Sequence, residues 1–392
     1  MSRAERIAFI SPRFADGDTV GGAETLLRRQ AEQAARAGRQ VVFLTTCAVD
    51  HFTWRNALPA GRKTVNGVDV HFFPVDEDRD ESAFLEAQRS ICSGRTVDEA
   101  TADTWLRNSV NSRALLDHLR GEGAAYDRLV MGPYLFGLVY HAAAANPGRS
   151  LLVPCLHDEA FAYLPAFGRL FRSVRGCMFN TGAERDLALR LYGMDAARCS
   201  VVGMGIDRFN ADAVRFSRPG LKRPYVIYCG RRETLKGTPL LCDYMATFRA
   251  RTGRDVGLLF TGSGPIEAPP ELAAHLVDAG FVSEQDKHDA MAGAVAFCHP
   301  SVNESLGIVL LESWMAGTPA LVHAGSAVLR EHCAAAGGGL WFRTYPEFEE
   351  ELMALLGNAD LRARMGAAGR RYVLNAYGWD KIAEKMLAVL DG

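Results

Sequence analysis

The chain has 392 residues, 48% of them hydrophobic and 23% charged, with 38 Gly, 16 Pro and a formal net charge of −2. That length suits two or three domains with large buried cores, and the composition excludes collagen-like, disordered and disulfide-scaffold classes. Charge is balanced along the whole chain, so no basic field of the kind that nucleic acid requires is present and no nucleic-acid partner is expected. Nine cysteines, without a C-x-x-C pair or a His/Cys cluster at metal-ligand spacing, argue against a disulfide framework and structural zinc and point to a reducing cytosol. The first residues, MSRAERIAFISPRF, reach only about five apolar residues before a proline, and no apolar run is long enough to span a bilayer. A cytoplasmic location is expected.

Short apolar runs alternate with amphipathic stretches in a β-α-β rhythm. It starts with strand 7–10, helix 23–37 and strand 41–45, and continues with strands 68–73, 129–131, 151–156 and 177–180 and helices 108–120 and 182–192. Residues 1–210 are expected to form one Rossmann-like domain, with the charged stretch 76–107 as a helical insertion beside it. The polar segment 210–224 reads as an exposed linker. A second Rossmann-like domain, 211–372, would follow, with strands 225–229, 256–261, 278–281, 294–299, 320–323 and 340–342. Its helices would cover 237–251, 283–292, 307–316, 345–356 and 360–371, and residues 373–392 would form a C-terminal helix crossing back to the first domain.

Three constellations carry chemistry. Gly21-Gly22-Ala23-Glu24 opens a helix with bare amides at its positive end, an anion site or an ordinary glycine turn. It lacks the G-x-G-x-x-G of a nicotinamide fold. Arg231 and Lys236, in Gly230–Gly237 directly after a strand, are two cations able to converge on one diphosphate. In His299–Glu312, Glu304 stands in a loop and Glu312 sits one to two turns into the next helix among Val309, Leu310, Leu311, Trp314 and Met315. An unpaired charge there is costly, so Glu312 requires a partner, and ligand hydroxyls would serve.

Together, GGAET, GRRETLKG, FTGSGP and the Glu304/Glu312 pair resemble the retaining glycosyltransferases of family GT4, which have the GT-B fold of two Rossmann-like domains facing across a cleft. The resemblance extends to VVGMGIDRF (201–209) before the linker and YGWDKIAEKML (377–387) at the end, although Gly203-Met204-Gly205 replaces the family's usual Asn-Gly turn. It implies transfer of a sugar from a UDP- or GDP-linked donor to a glycan or lipid-linked acceptor, in bacterial surface polysaccharide synthesis. Another GT-B enzyme, such as a sugar-nucleotide epimerase, and a non-catalytic nucleotide-sugar-binding subunit are the alternatives.

By resemblance, Arg231 and Lys236 would meet the donor diphosphate, Glu312 the ribose and Glu304 the transferred sugar. The amides of Ser305, Leu306, Gly307, Ile308 and Val309 would face sugar and distal phosphate, Gly22 would contact the phosphate from the opposite domain, Gly230 and Gly262 would belong to the donor-binding set, and Phe281 and Val282 would border the base. His157, in His157-Asp158-Glu159, would stand beside sugar and acceptor. The resemblance implies no cofactor and no metal, and the chain is expected to lack a D-x-D motif to hold one. Arg169, Arg172 and Arg175, beside Leu170, Phe171 and Val174, form a basic, partly apolar run suited to peripheral contact with an anionic membrane.

Overall fold

A computed structural model describes residues 5–14 and 21–392. The chain divides into two compact units, Met1–Met204 with Ile382–Gly392, and Gly205–Lys381.

In the first unit the elements run β1 (Arg6–Ile10), α1 (Gly22–Arg36), β2 (Gln40–Thr46), β3 (Gly61–Val65), β4 (Val68–Phe73), α2 (Glu81–Cys92), α3 (Glu99–Asn108) and α4 (Arg113–Glu122). They continue β5 (Arg128–Met131), α5 (Gly137–Ala145), β6 (Ser150–Leu152), α6 (Pro165–Ser173), β7 (Gly176–Phe179), α7 (Gly182–Tyr192) and β8 (Cys199–Val201). The sheet order is β3-β4-β2-β1-β5-β6-β7-β8. Every pairing is parallel except β3 with β4. Ile7 to Ile10 are fully buried, as a parallel strand covered on both faces requires.

The second unit runs β9 (Tyr225–Cys229), α8 (Thr238–Thr252), β10 (Gly257–Thr261), β11 (Leu276–Asp278), α9 (Glu284–Ala292), β12 (Ala296–His299) and α10 (Ile308–Met315). Then come β13 (Ala320–His323), α11 (Ala327–Ala336), β14 (Gly339–Phe342), α12 (Tyr345–Gly357), α13 (Ala359–Ala376) and α14 (Trp379–Asp391), whose last ten residues belong to the first unit. Its sheet, β11-β10-β9-β12-β13-β14, is wholly parallel. Trp314 anchors α10: its ring is fully buried and its Nε1–H donates to the Gly338 carbonyl at 2.9 Å. A Cβ on Gly369 of α13 would stand 2.4 Å from that ring, so the glycine is what lets the two helices close on it. Truncation of such a buried aromatic costs about 3–5 kcal/mol.

Several expectations are corrected. Residues 76–107 are helical, but Ala87, Ile91, Ala102, Trp105 and Leu106 pack into the first unit's main core instead of lying beside it. The expected helix 108–120 starts later, because Ser112 caps α4 by accepting the Leu115 N–H. The strand expected over 151–156 stops at Leu152, since Pro154 follows closely and Cys155 has a φ of 53°. The strand expected at 278–281 ends at Asp278, where Gly280, at φ 62°, turns the chain and leaves Phe281 67% exposed. The segment 210–224 is docked: Phe216 is buried, and Asp289 receives both the Asp212 amide and the Arg215 guanidinium. Strands β3 and β8 and helix α11 have no counterpart in the sequence reading.

Candidate functional site

In the second unit, β9 and β10 end in loops packed backbone to backbone. The Gly230 N–H donates to the Thr261 carbonyl at 3.0 Å, and a Cβ on Gly262 would stand 2.2 Å from the Gly230 oxygen. Gly230 and Gly262 have φ values of 137° and 109°, a backbone conformation that favours glycine at both, and at Gly262 the close approach excludes a Cβ as well. The following turn carries Arg231, 56% exposed at its side chain and 3.9 Å from Glu233. Lys236 ends a short 3-10 turn. Gly237, at φ 72°, then starts α8, where a Cβ would stand 2.7 Å from the Pro300 carbonyl.

Lys236 and Glu304, expected on different parts of a donor, meet each other. Nζ of Lys236 lies 2.7 Å from Oε1 of Glu304, and His299 Nε2 lies 3.3 Å from the same oxygen. Burial alone would raise the Glu304 carboxyl, but His299 and Lys236 more than offset it and hold the group well below the usual carboxylate range. His299, 5% exposed, stands at the end of β12 and escaped the sequence reading as a site residue. Its position one residue before Pro300, in the segment that carries Glu304, was the available signal.

Loop 300–307 ends at Gly307, the N-cap of α10 at φ 74°, where no side chain caps the helix. The amides of Ile308 and Val309 thus form its first turn. The Leu306 carbonyl accepts from His332 Nε2 at 2.8 Å, and Nδ1 lies 3.1 Å from the Tyr372 hydroxyl. Burial pushes the His332 imidazole down to about 4, so it stays neutral and its Nε2 carries the proton.

Glu312, on the second turn of α10, has the partner its setting demands. Lys287 Nζ approaches it at 3.0 Å, with the two side chains 16% and 15% exposed. The sequence called for a partner that ligand hydroxyls could serve as; α9 brings an ammonium to the same carboxylate. Glu284, His288 and Glu312 also present ligand atoms within 4.8 Å of one another, a grouping that sequence spacing did not reveal. Val282 is half-buried and Phe281 exposed, just before α9.

In the first unit, Gly22 is the first residue of α1 and Gly21 its N-cap, without a side-chain cap bond. The preceding residues 15–20 lie outside the described residues. Glu24 is paired with Arg13, both under a tenth exposed, and Arg13 also donates to the Val49 carbonyl at 3.0 Å. His157 is half-buried after the left-handed Cys155. The neighbouring Asp158 is taken by Tyr163, 2.7 Å, and Arg190, 3.2 Å. Behind this turn Glu184 accepts the Leu156 and Asn180 amides, each at 2.6 Å. The expected lack of a D-x-D motif is corrected, since this spacing occurs at 76–78 and 78–80, but Asp76 and Asp78 pair with Arg113, and Asp80 caps α2 by accepting the Ala83 N–H. Of the basic run, Arg169 pairs with Glu99 at 2.6 Å, while Leu170, Phe171 and Val174 are buried, so its apolar part belongs to the core. Among the described residues no helix is long and apolar enough to cross a membrane.

Two parallel-sheet α/β units of this construction define the GT-B fold. Known structures align with the whole chain: sucrose-phosphate synthase from Thermosynechococcus elongatus has a TM-score of 0.73 at 16% identity, covering 99% of this chain and 98% of that one. Anabaena HepE, in complex with UDP and glucose, has a TM-score of 0.66 at 14% identity, covering 99% of each chain. Residues 211–372 match the model of the family glycosyl transferases group 1. Curated relatives include a phosphatidyl-myo-inositol mannosyltransferase of Mycobacterium leprae, 32% identical over 226 residues, 53% of this chain and 58% of the relative. A D-inositol 3-phosphate glycosyltransferase of Salinispora arenicola is 28% identical over 246 residues, 54% of this chain and 53% of the relative. These matches span little more than half of each relative.

Proposed function

We propose that this chain is a retaining, metal-independent glycosyltransferase, moving a sugar from a UDP- or GDP-linked donor to a glycan or lipid-linked acceptor in bacterial surface polysaccharide synthesis. The observation that carries the reading is that the family match over residues 211–372 contains Arg231, Lys236, Glu304 and Glu312 together. Cleavage of a donor sugar places charge on the departing distal phosphate; Arg231, Lys236 and the first-turn amides of α10 would stabilise it. Glu304, kept ionised by His299 and Lys236, would accept from hydroxyls of the transferred sugar, and Glu312 from the ribose. The departing phosphate would take the acceptor proton on the same face, which retains the anomeric configuration, with His157 beside sugar and acceptor. The protein would work in the cytoplasm, any contact with an anionic membrane relying on arginine charge such as Arg172 and Arg175.

Nucleotide release is the test, measured with UDP-, GDP- and ADP-sugars, with and without sugar or lipid-linked acceptors. Mannosyl donors and inositol-bearing acceptors belong in the panel because relatives' names carry both. Acceptor-dependent release from one donor supports the reading. Nucleotide binding without turnover would favour a non-catalytic subunit, and epimerised free donor would favour an epimerase.

A further inference from the structure

The ammonium beside Glu312 sits in an asymmetric setting. Lys287 Nζ lies 3.0 Å from Glu312 Oε2 and 2.8 and 3.0 Å from the two carboxylate oxygens of Glu284. Glu284 is 62% exposed at its side chain, whereas Glu312 and Lys287 are nearly enclosed. Water can replace Lys287 as a partner of Glu284, whereas the Glu312 side of the pair is nearly enclosed. Lys287 thus donates hydrogen bonds to Glu284 and stands beside the buried Glu312 as an ion pair, with its charge least screened by water on the Glu312 side.

We propose that Lys287 is the positioning residue of the nucleotide-binding step, holding Glu312 ionised and fixed so that its remaining acceptor sites meet the ligand's ribose hydroxyls. This rests on the reading of Glu312 as the ribose ligand. An ionised carboxylate offers about four acceptor sites, and Glu312 Oε2, beside the Lys287 charge, has no hydrogen-bond partner among the described residues, whereas a protonated carboxyl turns one oxygen into a donor. Burial raises the Glu312 carboxyl, and the Lys287 charge opposes that rise. The charges acting on Glu312 are Lys287 and Glu284, both from α9. His288, on the same helix, is pushed by burial and by Lys287 down to about 4, and the buried Cys229 thiol of β9 is pushed up to about 12, so neither changes charge between pH 5 and pH 8. The same ammonium stands between the two carboxylates of the Glu284, His288 and Glu312 grouping, so a divalent cation would have to displace it.

The test is calorimetric titration with UDP and GDP between pH 5 and pH 8, on wild type, Lys287→Met and Lys287→Arg. Lys287→Met should bind about tenfold more weakly at pH 7, on the scale of one hydrogen bond to a charged group. Its affinity should also fall away at a higher pH than that of wild type, because the unopposed carboxyl protonates earlier. Lys287→Arg should recover most of the loss. If Lys287→Met does not fold, Lys287→Gln carries the same comparison. A folded Lys287→Met or Lys287→Gln with wild-type affinity and an unmoved pH profile overturns the inference while leaving the donor site intact. Wild-type protein that binds neither nucleotide overturns the donor-site reading and the inference with it.

Discussion

Lys236 Nζ lies 2.7 Å from Glu304 Oε1, and His299 reaches the same oxygen at 3.3 Å, so one buried carboxylate holds two basic side chains from two different strand ends in place. The turn after β9 and the loop after β12 are thereby fastened to each other before any ligand binds. Because Glu304 stays ionised throughout the working range, an acid limb in the activity profile would have to come from another group.

Arg231→Ala and Lys236→Ala are each expected to lower turnover on the order of 100- to 1,000-fold, more than they weaken donor binding. Part of each contact exists in the ground state, but charge grows on the distal phosphate as the bond breaks. Lys236→Ala should also lower the melting temperature, since it strips one partner from the buried Glu304, whereas Arg231→Ala, at an exposed site, should not. Steady-state kinetics and a melting curve on both variants check this; near-wild-type turnover at saturating donor would reduce the pair to nucleotide anchors.

Glu312→Gln should weaken nucleotide binding by about 1.5–3 kcal/mol, because an amide accepts at one oxygen only and presents a donor where the ribose hydroxyls donate. It also leaves Lys287 without its buried partner. Direct titration with free nucleotide measures the loss, and unchanged affinity in a folded variant would make Glu312 purely structural.

His332 should make the fold acid-sensitive. Its folded-state value, about 4, lies below the ordinary histidine value of 6.5, so the unfolded chain takes up the proton first and stability is lost as pH falls through that interval. The loss at the acid end is about 3 kcal/mol. Glu184 acts in the opposite sense: burial pushes it up to about 8, so its contribution is lost as pH rises toward that value. The comparison to make is therefore wild type against His332→Gln, by chemical denaturation at several pH values. The stability gap between the two should narrow from pH 7 to pH 4, and a constant gap would contradict the assignment.

Much of the second unit was legible because its strands are short apolar runs between glycine turns: Tyr225–Cys229 and Ala320–His323 were read to the residue. Failures came where tertiary packing outweighs local pattern. Strand β3, GRKTV, is polar and exposed along most of its length and has no hydrophobic period to read. Charged helices α2 and α3 looked like surface until the structure placed Ile91 and Trp105 in the core. At the site, the motifs located Lys236, Glu304 and Glu312 but not their partners. His299 lay within the segment His299–Glu312, five residues before Glu304, without a pattern that singled it out, whereas Lys287 comes from another helix of the unit, and such pairing leaves no trace in linear spacing. Arg13, which fixes Glu24, was hidden for the same reason.

Activity is expected to survive EDTA, because the charge-stabilising groups assigned to the donor are side-chain cations and helix amides. Loss on chelation, restored by magnesium or manganese, would overturn that assignment and direct attention to the Glu284, His288 and Glu312 grouping. The first-formed product should retain the donor's anomeric configuration, which NMR of the early reaction decides; an inverted linkage would defeat the front-face mechanism.

The most direct test of the central claim, that the second unit holds a nucleoside-diphosphate sugar through Arg231, Lys236, Glu304 and Glu312, is calorimetric titration with UDP and GDP in the presence of EDTA, on wild type and on the Arg231→Ala, Lys236→Ala double variant. Saturable binding of one nucleotide per wild-type chain, weakened at least about tenfold in a double variant that melts cooperatively, is the predicted result. No binding by wild type, or equal binding by both proteins, would contradict the account.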